Sequence, residues 1–295
     1  MIFIIAFICS CFLTIKVIDL LIIYGFKFNL VDYPDTRKKH SEPKVRIGGL
    51  SLIIGIITFL LISLIGFSPA VNLNDNLLKI SFIFSLLVYI LGFIEDVFTI
   101  SPIFRLFTQF LIATLAFNTG LVIKFDFLSD IVNTNFLNVM SYLFTCFWLV
   151  GGINAINWLD GLDGLASGIS SILFLVLSLI SFYFGLISLG LVSVATSIST
   201  LSFTYKNFYP SRILMGDGGS YFLGFLLSAL SIVFINSRGI NGELIFENIK
   251  YYAPLLLFIY PYFDLLRVVF YRLKEGKSPF LPDRRHLHYI ILDKG

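Results

Sequence analysis

Apolar positions gather in nine long runs, Ile2–Tyr24, Gly48–Phe67, Leu77–Ile94, Phe104–Ile123, Phe136–Ile156, Leu165–Phe184, Leu186–Phe203, Gly219–Ile235 and Ala253–Phe270, each bounded by short polar segments. A helix needs about 20 such residues to cross the roughly 30 Å hydrocarbon layer of a membrane. Barrel strands would be half as long and would alternate apolar with polar, which these runs do not. The pattern predicts an all-α, polytopic membrane protein with about nine transmembrane helices, and a single integral-membrane domain over residues 1–295. Composition narrows the class further. Hydrophobic residues make up 57% of the chain and charged residues 13%, with a mean hydropathy of +0.92, far from the balance of a soluble globular domain. No segment suggests nucleic-acid binding. Cys9, Cys11 and Cys146 fall inside apolar runs, where they read as packing rather than as a disulfide or zinc framework. The first run has no basic stretch before it and no small-residue cleavage site after it, so it reads as a retained helix.

Charge then sets an expected orientation. Sixteen of the 21 Lys and Arg residues fall on one face, in the loop around Lys27–Arg46, at Arg105, at Lys206 and Arg212, and over Arg267–Lys294. The positive-inside tendency makes that face cytoplasmic, with the N-terminus outside and the C-terminus cytoplasmic. The chemically dense segments fall on the same face. Glu95, Asp96, Asp160, Asp163 and Asp217 come from three different loops there. Brought together, five carboxylates repel one another unless a cation or protons neutralise them. Oxygen-only ligands without a nearby cysteine suit Mg²⁺ or Mn²⁺. Arg37, Lys38, Lys39, His40, Arg46, Arg284, Arg285, His286 and His288 supply cations and donors for anionic oxygens. Carboxylates for a metal beside cations for phosphate is the equipment of phosphoryl transfer.

In Asn157-Trp158-Leu159-Asp160-Gly161-Leu162-Asp163-Gly164 the polar side chains recur every third residue, which on a helix or helical turn would place all three on one broad face. His286 and His288 would align on an extended strand and not on a helix. Each piece also has a structural use: Glu95-Asp96 could end a helix in water, Asp217 could cap the apolar run that follows it, and the two histidines could belong to a solvated basic tail.

Taken in order, five stretches resemble the polyprenyl-phosphate N-acetylhexosamine-1-phosphate transferases of glycosyl transferase family 4. They are residues 34–49, from Pro34-Asp35 to Gly48-Gly49; Leu91-Gly92-Phe93-Ile94-Glu95-Asp96; residues 154–166 around Asn157, Asp160 and Asp163; Met215-Gly216-Asp217-Gly218-Gly219-Ser220 through Gly224; and Pro282-Asp283-Arg284-Arg285-His286-Leu287-His288. The resemblance implies an enzyme of the bacterial cytoplasmic membrane with its active site on the cytoplasmic face. A polyprenyl phosphate such as undecaprenyl phosphate would attack a UDP-N-acetylhexosamine in the presence of Mg²⁺, giving lipid-diphosphate-sugar and UMP and starting a surface glycan such as O-antigen lipopolysaccharide or a cell-wall polymer. It implies catalytic roles for Glu95, Asp96, Asp160, Asp163, His286 and His288. Asp217, with Asp160 and Asp163, would hold the metal. Asn157, Arg37, His40, Arg46, Arg284 and Arg285 would bind substrate.

Three departures from the family pattern stand out. Glu95 replaces the first Asp of an adjacent pair, Tyr289 stands where a further histidine is usual, and the chain stops at Gly295 where relatives continue through at least one more span. The final motif is more similar to the N-acetylglucosamine-type enzymes than to the pentapeptide enzyme of peptidoglycan, which makes UDP-N-acetylglucosamine the expected donor. The competing readings are a transporter with the carboxylates as ion sites, and an inactive scaffold of a glycan-assembly complex.

Overall fold

The computed structural model describes residues 1–34, 42–67, 75–98, 100–125, 128, 130–239, 243–278 and 285–294. Every apolar run becomes helical. The elements are α1 (Ile2–Lys27), a ribbon of β1 (Val31–Asp32) and β2 (Lys44–Val45), α2 (Gly49–Phe67), α3 (Asn76–Val97), α4 (Pro102–Asn118), α5 (Thr134–Leu159) and α6 (Leu165–Tyr183). They continue with α7 (Ile187–Asn207), α8 (Gly216–Asn236), the short α9 (Glu243–Ile249) and α10 (Tyr252–Leu257), α11 (Ile259–Lys274) and α12 (Leu287–Leu292). The protein is an all-α polytopic membrane protein. Among the described residues, six helices, α1, α3, α5, α6, α7 and α8, are long and apolar enough to cross a bilayer, and α2 and α4 carry shorter apolar stretches.

Two of the expected runs change course. The fourth was expected to stay helical to Ile123, but α4 ends at Asn118, and Gly120 turns the chain with φ +105°. The backbone beyond it is satisfied from neighbouring helices: Ile123 N–H donates to Thr145 Oγ1 at 2.9 Å, and Val122 C=O accepts from Asn236 Nδ2 at 2.8 Å. Non-helical backbone at membrane depth needs such partners. The ninth run is interrupted at Phe258, between α10 and α11. Pro261 explains the break, since it has no N–H to donate to Leu257 and its ring crowds that carbonyl.

At the centre stands α8. Every residue of its apolar window is buried, and glycines let three helices approach its backbone. A Cβ on Gly92 of α3 would lie 2.5 Å from the Asp217 carbonyl carbon, one on Gly49 of α2 would lie 2.4 Å from Gly219 Cα, and one on Gly224 would lie 2.4 Å from the Gly152 carbonyl oxygen of α5. Small residues take this role because, without a hydrophobic force between helices in lipid, close van der Waals contact supplies much of the association energy.

The ends of the helices alternate so that α1, α3, α5, α7 and α11 finish at the end of the bundle where α2, α6 and α8 begin. The ribbon lies at that end, with Val31 opposite Val45 and Asp32 opposite Lys44. Leu214 N–H donates to Val45 C=O at 2.8 Å, and the amides of Gly48 and Gly49 donate to the carbonyls of Leu214 and Met215 at 3.0 and 2.9 Å. This stitching fixes the start of α8 against the start of α2. The three cysteines are free, with Cys146 buried in α5.

Candidate active site

The start of α8 is the hub. Gly216 has φ +76°, and a Cβ there would lie 2.0 Å from the Arg46 carbonyl oxygen and 2.5 Å from Asp96 Oδ2, so only glycine lets the chain enter the helix here. The first amides of a helix lack intrahelical partners. Asp96, from the end of α3, supplies them: Oδ1 accepts from Asp217 N at 2.9 Å and Oδ2 from Gly218 N at 3.1 Å. The Asp96 side chain is only 2% exposed, and Arg46 Nη2 lies 3.0 Å from its Oδ1. Capping of this helix is therefore done by Asp96 from another helix. Asp217, for which an ordinary capping role was one sequence reading, points its own carboxylate elsewhere.

Asp217 Oδ1 accepts from Asn157 Nδ2 at 2.7 Å, and Asn157 also donates to Ser220 Oγ at 3.0 Å. Arg46 Nη2 lies 3.6 Å from Asp217 Oδ2, and its Nη1 lies 3.6 Å from Asp32 Oδ1. Arg46 thus bridges three carboxylates from the ribbon, α3 and α8. Burial lowers its affinity for a proton, and Asp96, Asp217 and Asp32 more than offset this, so the guanidinium sits above its ordinary value.

Glu95 reaches a separate pair of partners. Its Oε1 lies 2.6 Å from Arg105 Nη1 of α4, and its Oε2 accepts from the Tyr221 hydroxyl at 2.6 Å. The side chain that is longer than the family's aspartate is held between α4 and α8.

The expectation that Asn157, Asp160 and Asp163 share one helical face is corrected. Helix α5 stops at Leu159, Asp160 is its C-cap, and the chain turns through Gly164 at φ +77°. Asn157 therefore meets Asp217, whereas Asp163 turns to the ribbon, where its Oδ2 accepts from Lys44 Nζ at 3.1 Å and Ser211 N at 3.0 Å. Burial raises the Asp163 carboxyl, but the Ser211 amide and hydroxyl together with Lys44 bring it below the usual range. Asp160 behaves in the opposite way. Burial, then the nearby charges of Asp217 and Asp163, push it up to about 7, with only partial relief from Arg46.

The C-terminal motif forms a second cluster. His286 is the extended N-cap of α12 (ψ 146°), while His288 lies within that helix. The two rings nonetheless stack, 5.4 Å apart with 14° between planes. The expectation that only a strand would align them is thus corrected, because the pair straddles the helix start. Neither forms part of a solvated tail, at 6% and 5% exposure. Arg285 makes a two-pronged pair with Glu275, at 2.6 and 2.7 Å. Arg37, His40 and Arg284 lie outside the described residues.

Sequence reading missed several partners that hold the site. Asn207 at the end of α7 accepts from Gly164 N and Ser167 Oγ and donates to Ile213 C=O, tying α6, α7 and the approach to α8 together. Lys44, Ser211, Tyr221 and Asp264 were likewise unassigned. Lone polar residues at apolar borders were the available signal, and it does not name partners.

Among the described residues, the only three His, Cys, Asp or Glu side chains with ligand atoms all within 4.8 Å of one another are Asp264, His286 and His288. Asp217, Asp160 and Asp163 thus do not close on a single point, although Asp160 feels the charge of both others. The donor set still fits a hard divalent cation: Asp217, Asp160 and Asn157 offer oxygen ligands, and the Asp160 carboxyl is raised first by burial and then by the negative charges of Asp217 and Asp163, the part that a cation would relieve.

Glycine-spaced helices thus bring carboxylates from the ends of α3, α5 and α8 to one rim. The sequence profile of glycosyl transferase family 4 matches residues 78–235, and the chain belongs to that family, which makes it a membrane-bound transferase of the glycosyl-1-phosphate class. It is similar to the probable undecaprenyl-phosphate N-acetylglucosaminyl 1-phosphate transferase of Bacillus subtilis (strain 168), 29% identical over 292 residues that cover 99% of this chain and 78% of the relative. A Thermotoga maritima undecaprenyl-phosphate alpha-N-acetylglucosaminyl 1-phosphate transferase is 30% identical over 276 residues, covering 94% of this chain and 77% of the relative. The decaprenyl-phosphate N-acetylglucosaminephosphotransferase of Mycolicibacterium smegmatis is 28% identical over 292 residues, covering 92% and 71%.

Proposed function

We propose that the protein transfers N-acetylglucosamine-1-phosphate from UDP-N-acetylglucosamine to polyprenyl phosphate, undecaprenyl phosphate in the first instance, at the cytoplasmic face of a bacterial inner membrane. The product would initiate a cell-surface glycan. The observation that carries the reading is the meeting of Asp96, Asp217, Asn157 and Arg46 at the N-terminus of α8. It supports a site for anionic oxygens and a cation at the membrane rim, and the relatives' names suggest the polyprenyl phosphate acceptor and the N-acetylglucosamine 1-phosphate group transferred.

In the reaction, an oxygen of the lipid phosphate forms a bond to the β-phosphorus of the donor. The bond from that phosphorus to the oxygen bridging to the α-phosphorus breaks, and UMP leaves with the bridging oxygen. A phosphate monoester is already largely ionised at neutral pH, since its second pKa is near 6, so alignment and charge shielding carry more of the work than proton removal. Asp217 and Asp160, with Asn157 as an orienting neighbour, would hold Mg²⁺ (or Mn²⁺), which would neutralise diphosphate charge. Arg46 is placed to attract the same anionic oxygens. Asp96 keeps the α8 amides and Arg46 in place, which assigns it to positioning more than to proton transfer. Asp163 holds the 160–164 turn to the ribbon.

Donor labelled at the β-phosphorus tests this directly. The reading predicts that label moves to the lipid phase while α-phosphorus label stays in water; sugar moving to lipid without β-label would overturn it. A second expectation follows from the Asp160 carboxyl near 7. Below that value it takes up a proton, so cation binding weakens as pH falls. Between pH 7 and 6 the ionised fraction drops about fivefold, and the Mg²⁺ concentration for half-maximal rate is expected to rise by about that factor. In Asp160→Asn the rise should be absent; an unchanged rise in that variant would remove Asp160 from the cation site.

A further inference from the structure

The mechanism above leaves one buried carboxylate unused. Asp264 on α11 is 1% exposed and has both oxygens engaged. Its Oδ2 lies 2.7 Å from His286 Nδ1, and its Oδ1 accepts from the Leu287 amide at 2.8 Å and from Arg267 Nη2 at 3.3 Å. A carboxylate only accepts, so His286 carries its proton on Nδ1. Arg267 also donates to the Arg285 carbonyl. Two side chains of α11, Asp264 and Arg267, thereby anchor the C-terminal segment at three successive residues.

That segment bears on the turn that carries Asp160. The Tyr289 hydroxyl donates to the Gly161 carbonyl at 3.0 Å. A Cβ on Gly161 would meet that hydroxyl at 2.6 Å and His288 Nε2 at 2.9 Å, so the approach depends on glycine. Beside the turn, the His286 ring meets Trp158 edge-on with centroids 5.6 Å apart, and the Arg272 guanidinium of α11 lies 5.0 Å from the Trp158 ring centroid. Trp158 stands between Asn157 and Asp160 in sequence. The two histidines are buried within this packing.

We propose that Asp264 is a positioning residue: through His286 and the Leu287 amide it seats α12 as a clamp on residues 157–161, and Tyr289 completes the clamp at Gly161. Asp264 itself touches no reacting atom. Tyr289 supplies the donor on the Gly161 carbonyl in this chain. The consequence for turnover rests on the transferase reading above, whereas the clamp itself can be read independently.

The chain has two tryptophans, so Trp148→Phe leaves Trp158 as the sole reporter. In that background and in the full chain, Asp264→Asn is expected to shift Trp158 emission, because an amide keeps only one accepting oxygen and cannot serve both His286 Nδ1–H and the Leu287 amide. Turnover should fall about ten- to a hundredfold, the scale of a small misplacement of reacting groups, with melting temperature changed little. Tyr289→Phe, which removes only a hydroxyl near the surface, should lower turnover severalfold. If both act through one clamp, the double variant is no slower than Asp264→Asn alone. Unchanged emission and turnover in Asp264→Asn would overturn the proposal, as would single-variant losses that multiply in the double variant. An inactive parent protein would sink the transferase reading, and the Trp158 emission would still decide whether the clamp exists.

Discussion

Asp217→Asn is expected to reduce turnover by about 10²–10³-fold, the usual loss when a preorganised electrostatic group is removed from such a site. The substitution keeps the shape of the side chain and an oxygen that can accept from Asn157 Nδ2, now at 2.7 Å. It removes the negative charge that Arg46 faces at 3.6 Å and that would meet the cation. Asp96 still bonds the amides of residues 217 and 218, so α8 should remain seated and protein yield should change little. Initial rates across a Mg²⁺ titration, together with the melting temperature in detergent, check both halves. A variant of full activity would remove Asp217 from the site.

Gly92→Ala carries the second large effect, through packing. The new methyl would lie 2.5 Å from the carbonyl carbon and oxygen of Asp217 and 2.6 Å from Gly218 N. These are backbone atoms in a fully buried helix, so no side chain can turn away to make room. The seam between α3 and α8 must open, and the bonds from Asp96 to the same two amides lengthen with it. Overpacking of this kind costs about 1–3 kcal/mol, and turnover should fall to near background because the cap and the site share atoms. Gly168→Ala on α6 is the control, since its nearest neighbour would be Thr204 Cγ2 at 4.0 Å. Thermal unfolding and turnover of both variants give the comparison: a low melting temperature and low rate for residue 92, and neither for residue 168. Parent-like values for Gly92→Ala would mean that α3 and α8 are not in close contact.

How much of this was legible in the chain depends on the length scale of the signal. The apolar runs announced every long helix, because membrane spans are written in 20 or so consecutive residues. Helix ends were less visible. Gly120 stopped α4 early and Pro261 split the ninth run, and both residues were present inside stretches whose average hydropathy hid them. The carboxylates that matter were also visible, since charge beside lipid is costly and usually has a function. Their partners were not. Spacing grouped Asn157, Asp160 and Asp163 on one face, but the end of α5 after Leu159 sends the three in different directions. Asp96 was read for chemistry, yet its two amide bonds cross 121 and 122 residues of sequence, a distance at which periodicity says nothing. Lys44 with Asp163 and Asp264 with His286 are likewise pairings of tertiary structure. The substitution of Glu95 was visible, and its meaning came only from Arg105 and Tyr221.

The most direct measurement is UMP release by purified protein given Mg²⁺ and a panel of UDP-N-acetyl sugars, each with and without polyprenyl phosphate. The proposed function predicts release that requires the lipid phosphate and the cation, and that is fastest with UDP-N-acetylglucosamine. Folded protein that releases no UMP from any donor in the panel, or that releases it equally without the lipid, would contradict it.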